Sequence, residues 1–233
     1  MVGRIRLKPS EEYLLIDLLE RRVHLIPSAL SQMASRSKTF QVLMLAEFML
    51  PHTHAVHELH KLIQLLNLYG ASHIDQVVTK HDRKNAGLGI FLWPSVEQVY
   101  THASHGLIQM PFLIQPYFPG CQDIRVIILD DYIEAYTRHN PDNFRNNLHC
   151  GGASEPCDLT PAQLALCRQV MARGRFPYAH IDLMVTEQGK TYVSEINLRG
   201  GIRGARVETE AYHALVKAID NKLLQEILDN SGT

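Results

Sequence analysis

Three polar stretches of the chain carry residue types that could do chemistry. The first runs Ile181-Asp182-Leu183-Met184-Val185-Thr186-Glu187-Gln188-Gly189-Lys190-Thr191-Tyr192-Val193-Ser194-Glu195-Ile196-Asn197. With Gln188-Gly189 as the tip of a hairpin, Thr186 pairs with Thr191, Val185 with Tyr192, and Asp182 with Glu195. Two carboxylates directly opposed across strands destabilise a sheet unless a cation or a proton offsets their repulsion. Asn197, two residues beyond Glu195, projects to the same face and adds a neutral oxygen. Such an oxygen set suits Mg²⁺ or Mn²⁺, above all where phosphate oxygens complete the shell. The alternative is a shifted register that leaves three separate surface residues.

The second stretch is Val77-Val78-Thr79-Lys80, a strand ending in a lysine, followed by the loop His81 to Gly89 with Gly87 and Gly89. A glycine-containing hairpin can lay backbone N–H groups on phosphate oxygens while the lysine supplies a point charge. It is not a P-loop, since no GK[ST] occurs and no helix follows, and an ordinary β-turn is the competing reading. In the third stretch, Asp123 to Arg138, a turn at Asp130-Asp131 sets Asp123 opposite Arg138 and Arg125 opposite Tyr136 on one face. Ile124, Val126, Ile128, Ile133 and Ala135 make the other face apolar. A solvated Asp123–Arg138 pair of little energetic worth is the alternative. Beyond it, Asp142 to Gly152 forms a polar loop dense in donors, able to clamp phosphate or substrate. Asn197 to Arg206 holds three arginines, three glycines and no acid, which suits a carboxylate or phosphate, or a solvated loop.

The elements that must position these residues are strands in hairpins. Strands are predicted at Gln76 to Lys80, Gly89 to Trp93, Phe112 to Phe118, Asp123 to Leu129, Tyr132 to Arg138, Ile181 to Val185 and Thr191 to Ile196. Before them come three predicted helices: one capped at Ser10-Glu11-Glu12, one from Ser37 to Leu50, and one from Ala55 to Tyr69 ending at Gly70. Thr160-Pro161-Ala162-Gln163 opens a fourth with a capping box, and Gly174 can end it. Grouped hairpins with segregated helices give an α+β class. The 233 residues are enough to bury a core without staples, and 23 Lys+Arg against 24 Asp+Glu leave a net charge of -1. No global field attracts nucleic acid or an anionic membrane, so neither is expected as a partner. Cys121, Cys150, Cys157 and Cys167 lack metal or redox spacing, and no signal segment precedes them, so reduced thiols in a cytoplasmic protein are expected. His52, His54, His57 and His60 are read as a surface helix and its approach rather than a zinc site, because no Cys or paired carboxylate completes the set. Trp93 and Phe112-Leu113-Ile114 are read as core.

Together these motifs resemble the ATP-grasp superfamily, and within it the RimK-type amino-acid ligases, over about residues 27 to 220. Lys80 with Gly87 and Gly89 resembles the family's phosphate lysine and glycine loop. Gln115-Pro116-Tyr117 resembles its Gln-Glu-Tyr adenine hinge, and Asp123-Ile124-Arg125 its DIR element beside the nucleotide. Phe144-Arg145-Asn146-Asn147-Leu148-His149-Cys150-Gly151-Gly152 is similar to the F-R-x-N-L-H-x-G-G loop, and Asp182, Glu195 and Asn197 fall on the three metal-ligand positions. The resemblance implies two α+β subdomains that grasp ATP and Mg²⁺ or Mn²⁺. It implies a ligase that passes the γ-phosphoryl group to a carboxylate and lets an amine displace phosphate from the acyl phosphate. The substrates implied are an amino acid, peptide or protein terminus. Arg125, Arg138 and Arg145 would stabilise the transferring group, Asn146 and Asn147 would join the nucleotide contacts, and Asn147 with His149 would orient substrate. A nucleotide-binding regulator without ligase activity and a phosphotransferase are the alternative functions. The sequence departs from the pattern where Pro116 replaces the hinge Glu, Lys84 the first loop glycine and Cys150 an Arg. Residues 1–74 are expected to be a reduced, mostly helical N-terminal region, 75–118 the glycine-loop lid subdomain, and 119–233 the subdomain with the metal site. Only 79 residues precede Lys80, so a partner protein, a homodimer mate or a different substrate class is expected to fill the acceptor side.

Overall fold

The computed structural model describes residues 1–84 and 87–231; Asn85 and Ala86 of the glycine-containing loop lie outside the described residues. The elements follow in the order α1 (Tyr13–Glu20), α2 (Ala29–Ala34), α3 (Lys38–Leu45), β1 (His54–Val56), α4 (Leu59–Ala71), β2 (Val77–His81), β3 (Ile90–Trp93), α5 (Val96–Ser104), β4 (Phe112–Pro116), β5 (Gln122–Leu129), β6 (Tyr132–His139), β7 (Ala153–Pro156), α6 (Pro161–Gly174), β8 (Tyr178–Val185), β9 (Thr191–Asn197) and α7 (Thr209–Ser231). The strands form two antiparallel sheets, a small one in the order β1-β4-β2-β3 and a large one in the order β7-β6-β5-β8-β9. This is the expected α+β architecture. No helix among the described residues is long and apolar enough to cross a membrane.

Alternation along the strands decides which face of each sheet is dry. On β5, Ile124, Val126 and Ile128 are buried with α3, α6 and α7 residues such as Val42, Cys167, Val170, Val216 and Ile219, while Asp123 and Arg125 face a cleft. The small sheet packs Phe112 and Ile114 against Leu62, Leu65 and Tyr69 of α4 and against Val96 and Val99 of α5. The small sheet thus draws on β1 and α4, which precede residue 75. His54, which the pattern assigned to the approach of a helix, lies in β1 against the Tyr69 ring, and the Tyr69 hydroxyl donates to the His52 carbonyl at 2.6 Å. Among the described residues no group of three His, Cys, Asp or Glu is placed to hold a metal ion.

Several helix ends differ from expectation. Glu12 precedes α1 with no side-chain cap, its carboxylate pairing with Arg83 instead, and Glu11 turns back to accept from the Lys8 N–H. Helix α3 ends at Leu45 and continues as a short 3-10 turn, and α4 runs through Gly70 to Ala71. Helix α6 starts as its sequence dictates: Thr160 and Gln163 cap each other reciprocally with Pro161 at the first position. At its far end Gly174 lies under the Phe176 ring, where a Cβ would stand 2.5 Å from a ring carbon. Gly174→Ala gains about 1 kcal/mol of helix propensity. The buried Phe176 ring cannot swing away, so overpacking of about 1–3 kcal/mol opposes that gain. The expected outcome is net destabilisation, read as a lower urea midpoint with an unchanged slope.

Candidate active site

The large sheet sets one polar row across four strands. Tyr136 on β6 faces Arg125 on β5, Arg125 faces Asp182 on β8, and Asp182 faces Glu195 on β9. The opposition of the two carboxylates is the expected one, but it is reached by a different route. The hairpin tip is a three-residue loop with Gly189 at φ 77°, so Val185 pairs with Thr191 and Met184 with Tyr192, one residue off the predicted register. A bulge between Leu183–Val193 and Asp182–Glu195 leaves Ser194 unpaired and restores the predicted partner. It also turns both Ser194 and Glu195 to the cleft. Asn197 lines the same cavity as Asp182 and Glu195.

The repulsion between these carboxylates is offset by resident cations. Arg125 grips Asp182 with two parallel bonds, Nε to Oδ1 at 2.7 Å and Nη2 to Oδ2 at 2.8 Å. Arg138 reaches Asp182 Oδ2 at 3.0 Å and Asp123 Oδ1 at 2.6 Å. Burial alone would raise the Asp182 carboxyl, yet Arg125 and Arg138 hold it far below the usual carboxylate range. Glu195 pairs through Oε1 with Lys38 Nζ at 3.2 Å. Lys80 is 8% exposed and donates to Ser194 Oγ at 2.9 Å. Burial pulls its ammonium below the ordinary lysine value, with Glu195 the strongest opposing charge.

Two cavities of about 520 and 550 Å³ meet along Lys80, Ile90, Arg138, Asn147 and Ser194. The first lies between the sheets and takes its walls from Gln115, Pro116, Tyr117, Asp123 and Asn146. The second holds Lys38, Lys80, Arg125, Arg138, Asp182, Glu195, Asn197, His149 and Gly87. Gly87, at φ 78°, packs so closely that a Cβ would meet Asn147 Nδ2 at 2.9 Å. Gly89 borders neither cavity. Arg145 lines the first cavity, where its guanidinium Nε and Nη2 both donate to the Ile90 carbonyl and its charge lies 4.4 Å above the Phe144 ring. It ties the polar loop to strand β3.

Sequence reasoning missed Lys38 and Ser194, whereas Lys84, noted in the sequence only as a substituted loop glycine, lines the second cavity. Ser194 emerges only from the bulge. Lys38 did carry a signal, because a lysine directly after the N-cap Ser37 opposes the helix dipole and invites a reason.

Known proteins share this arrangement of elements. A probable alpha-L-glutamate ligase of Aeromonas salmonicida (strain A449) is 25% identical over 186 residues, which cover 76% of this chain and 59% of the relative. The ribosomal protein bS6--L-glutamate ligase of Shigella boydii serotype 4 (strain Sb227) is also 25% identical, over 78% of this chain and 61% of its own length. The chain thus spans about three fifths of the length of these curated relatives. The D-cycloserine synthetase DcsG structure superposes on 91% of this chain and 78% of its own with a TM-score of 0.64 at 16% identity, a likeness of fold. The profile of the RimK-like ATP-grasp domain matches residues 34–221, a span that takes in Lys38, both sheets and the whole polar row. With these residues arrayed along one cleft between two sheets, the chain belongs to the RimK-like ATP-grasp family.

Proposed function

We propose that this cleft joins a carboxylate to an amine at the expense of ATP. The observation that carries the reading is the continuity of the two cavities: a hinge-walled pocket sized for a nucleoside opens, past Lys80, onto opposed carboxylates flanked by lysines and arginines. The curated relatives are named for adding L-glutamate, one of them to ribosomal protein bS6, so glutamate and a peptide or protein terminus are the substrates to try first.

The donor set fits a hard divalent cation. Asp182 has three guanidinium contacts on its two oxygens, out of about four lone-pair directions on a carboxylate. Among the described residues Glu195 is ion-paired, through Oε1, only to Lys38, and Asn197 adds an amide oxygen. Asp182, Glu195 and Asn197 would hold Mg²⁺ or Mn²⁺, which supplies charge neutralisation and orientation of the phosphate oxygens. Phosphoryl transfer asks for positioning and charge neutralisation more than for a protein nucleophile. Lys80 and Lys38 neutralise the phosphates from the small-sheet side. Arg125 Nη1, in contact with the Gly201 carbonyl at 3.4 Å, is the donor nearest to free for an incoming acyl phosphate, and Arg138 lies beside it. The γ-phosphorus–oxygen bond to ADP breaks as the carboxylate oxygen bonds to phosphorus. The amine then bonds to the acyl carbon, loses a proton, and phosphate leaves.

The direct experiment incubates the protein with ATP, Mg²⁺, L-glutamate and acidic peptides, following phosphate release and product masses. A new amide with matching phosphate supports ligation. Nucleotide binding without turnover would favour a regulator, and a phosphorylated product without amide a phosphotransferase. Lys80→Ala is expected to weaken ATP binding about 10- to 100-fold, the worth of one charged hydrogen bond of about 1.5–3 kcal/mol. Calorimetric titration checks it, and an unchanged affinity removes Lys80 from the site.

A further inference from the structure

We propose that Asp82 is a positioning residue that fixes Lys38 over the cleft. The inference rests on the nucleotide-binding reading above, and it concerns a carboxylate that the chemistry itself does not use. Asp82 is 6% exposed and follows directly on strand β2. A single oxygen, Oδ1, accepts three hydrogen bonds from the start of α3: Ser37 Oγ at 2.9 Å, the Thr39 N–H at 2.8 Å and Thr39 Oγ1 at 2.8 Å. Its backbone carbonyl accepts from the Lys38 N–H at 3.4 Å. Oδ2 stands 3.5 Å from Arg83 Nε.

The first N–H groups of a helix have no partner within it, and a cation in the first turn opposes the helix dipole. Lys38 occupies such a first-turn position in α3. Asp82 answers both problems from another element: it takes up an orphan N–H and sets a negative charge beside the dipole's positive end. The backbone of residues 37–39 is thereby locked to the end of β2. The locked backbone aims the Lys38 side chain, whose Nζ then bridges the Lys84 carbonyl at 2.8 Å and Glu195 Oε1 at 3.2 Å. Lys80 needs no such anchor, because β2 is paired on both sides by β3 and β4. Asp82 therefore acts through Lys38 and not through Lys80, and the geometry of its oxygen matters more than its charge.

That assignment separates a positioning role from a merely structural one. Affinity for a fluorescent N-methylanthraniloyl-ATP with Mg²⁺ is measured for the full chain and for Asp82→Ala, Asp82→Asn, Thr39→Val, Lys38→Ala and the Lys38→Ala/Asp82→Ala double variant. Asp82→Ala should weaken binding about tenfold, in the range of a lost charged contact. Asp82→Asn keeps the accepting oxygen and should return affinity to within about threefold of wild type, the loss of charge being secondary. In the Lys38→Ala background the Asp82→Ala change should cost less than about twofold, the signature of two residues acting as one unit. Thr39→Val, which removes one of the three donors, should give the same non-additivity at smaller scale and replaces Asp82→Ala if that variant fails to fold. Full additivity with Lys38→Ala, or unchanged binding by folded Asp82→Ala, overturns the proposal. A wild type that binds no probe overturns the nucleotide reading and this inference with it.

Discussion

Glu195→Gln is expected to lower metal-dependent ATP turnover by at least about a thousandfold, the equivalent of about 4 kcal/mol of transition-state stabilisation. It should do so without disturbing the fold. The Glu195 side chain is 22% exposed and makes one ion pair, with Lys38, which keeps the Lys84 carbonyl as a second partner. Glutamine has nearly the same volume and can still accept from Lys38, and a partly exposed pair of this kind is worth about 1 kcal/mol or less. What glutamine cannot supply is the second anionic oxygen donor opposite Asp182, on which a hard divalent cation depends. Phosphate release at saturating Mg²⁺, read beside a thermal melt, separates the two effects. Turnover within tenfold of wild type would remove Glu195 from the metal set.

The polar row explains how much of the site could be read from the sequence. The β5–β6 hairpin was fully legible, because Asp130-Asp131 sits between two β-rich runs and Asp130 adopts the left-handed φ of 57° that such a two-residue turn needs. Asp123 opposite Arg138 and Arg125 opposite Tyr136 follow from that turn alone. The β8–β9 hairpin was legible at its metal-facing end for a less secure reason. A three-residue loop shifted the register by one and the bulge at Ser194 shifted it back; the loop leaves no mark in the sequence, whereas the bulge shows only as the Ser194-Glu195 pair that breaks the alternation between the buried Val193 and Ile196. Arg145 was assigned by its place in a motif, whereas its orientation depends on Phe144 and on the β3 edge 55 residues away. Five elements escaped altogether: the three-residue β1, the six-residue α2 and the four-residue β7, which are too short to show periodicity, and the helices α5 and α7, although Ser95 caps α5 and Val96, Val99 and Ala103 give it a buried face. Tertiary pairing, with β4 for β1 and with β6 for β7, is what makes those strands.

Asp182→Asn should match Glu195→Gln in lost turnover, and it should differ from it in stability. Asp123, Asp182, Arg125 and Arg138 form a neutral quartet of two acids and two bases, in which Asp182 alone touches both guanidinium groups. The Arg138 and Asp182 side chains are 5% and 11% exposed. Removing one partner of such a buried set leaves a cation without its counter-charge and costs about 3–5 kcal/mol, several times the loss foreseen at Glu195. Asparagine aggravates this, since its amide N–H₂ group must point at one of two groups that are donors only. The acid limb of the stability curve provides an independent check. The two arginines hold the folded-state Asp182 below its unfolded value, so its stabilisation is present above about pH 4 and is lost progressively as the pH falls below that. Wild-type stability should therefore drop through that window, and the Asp182→Asn variant, starting lower, should drop less steeply. Parallel curves for the two proteins would mean that Asp182 is not held by its arginines in solution, and with that the quartet would no longer account for how this sheet tolerates two carboxylates face to face.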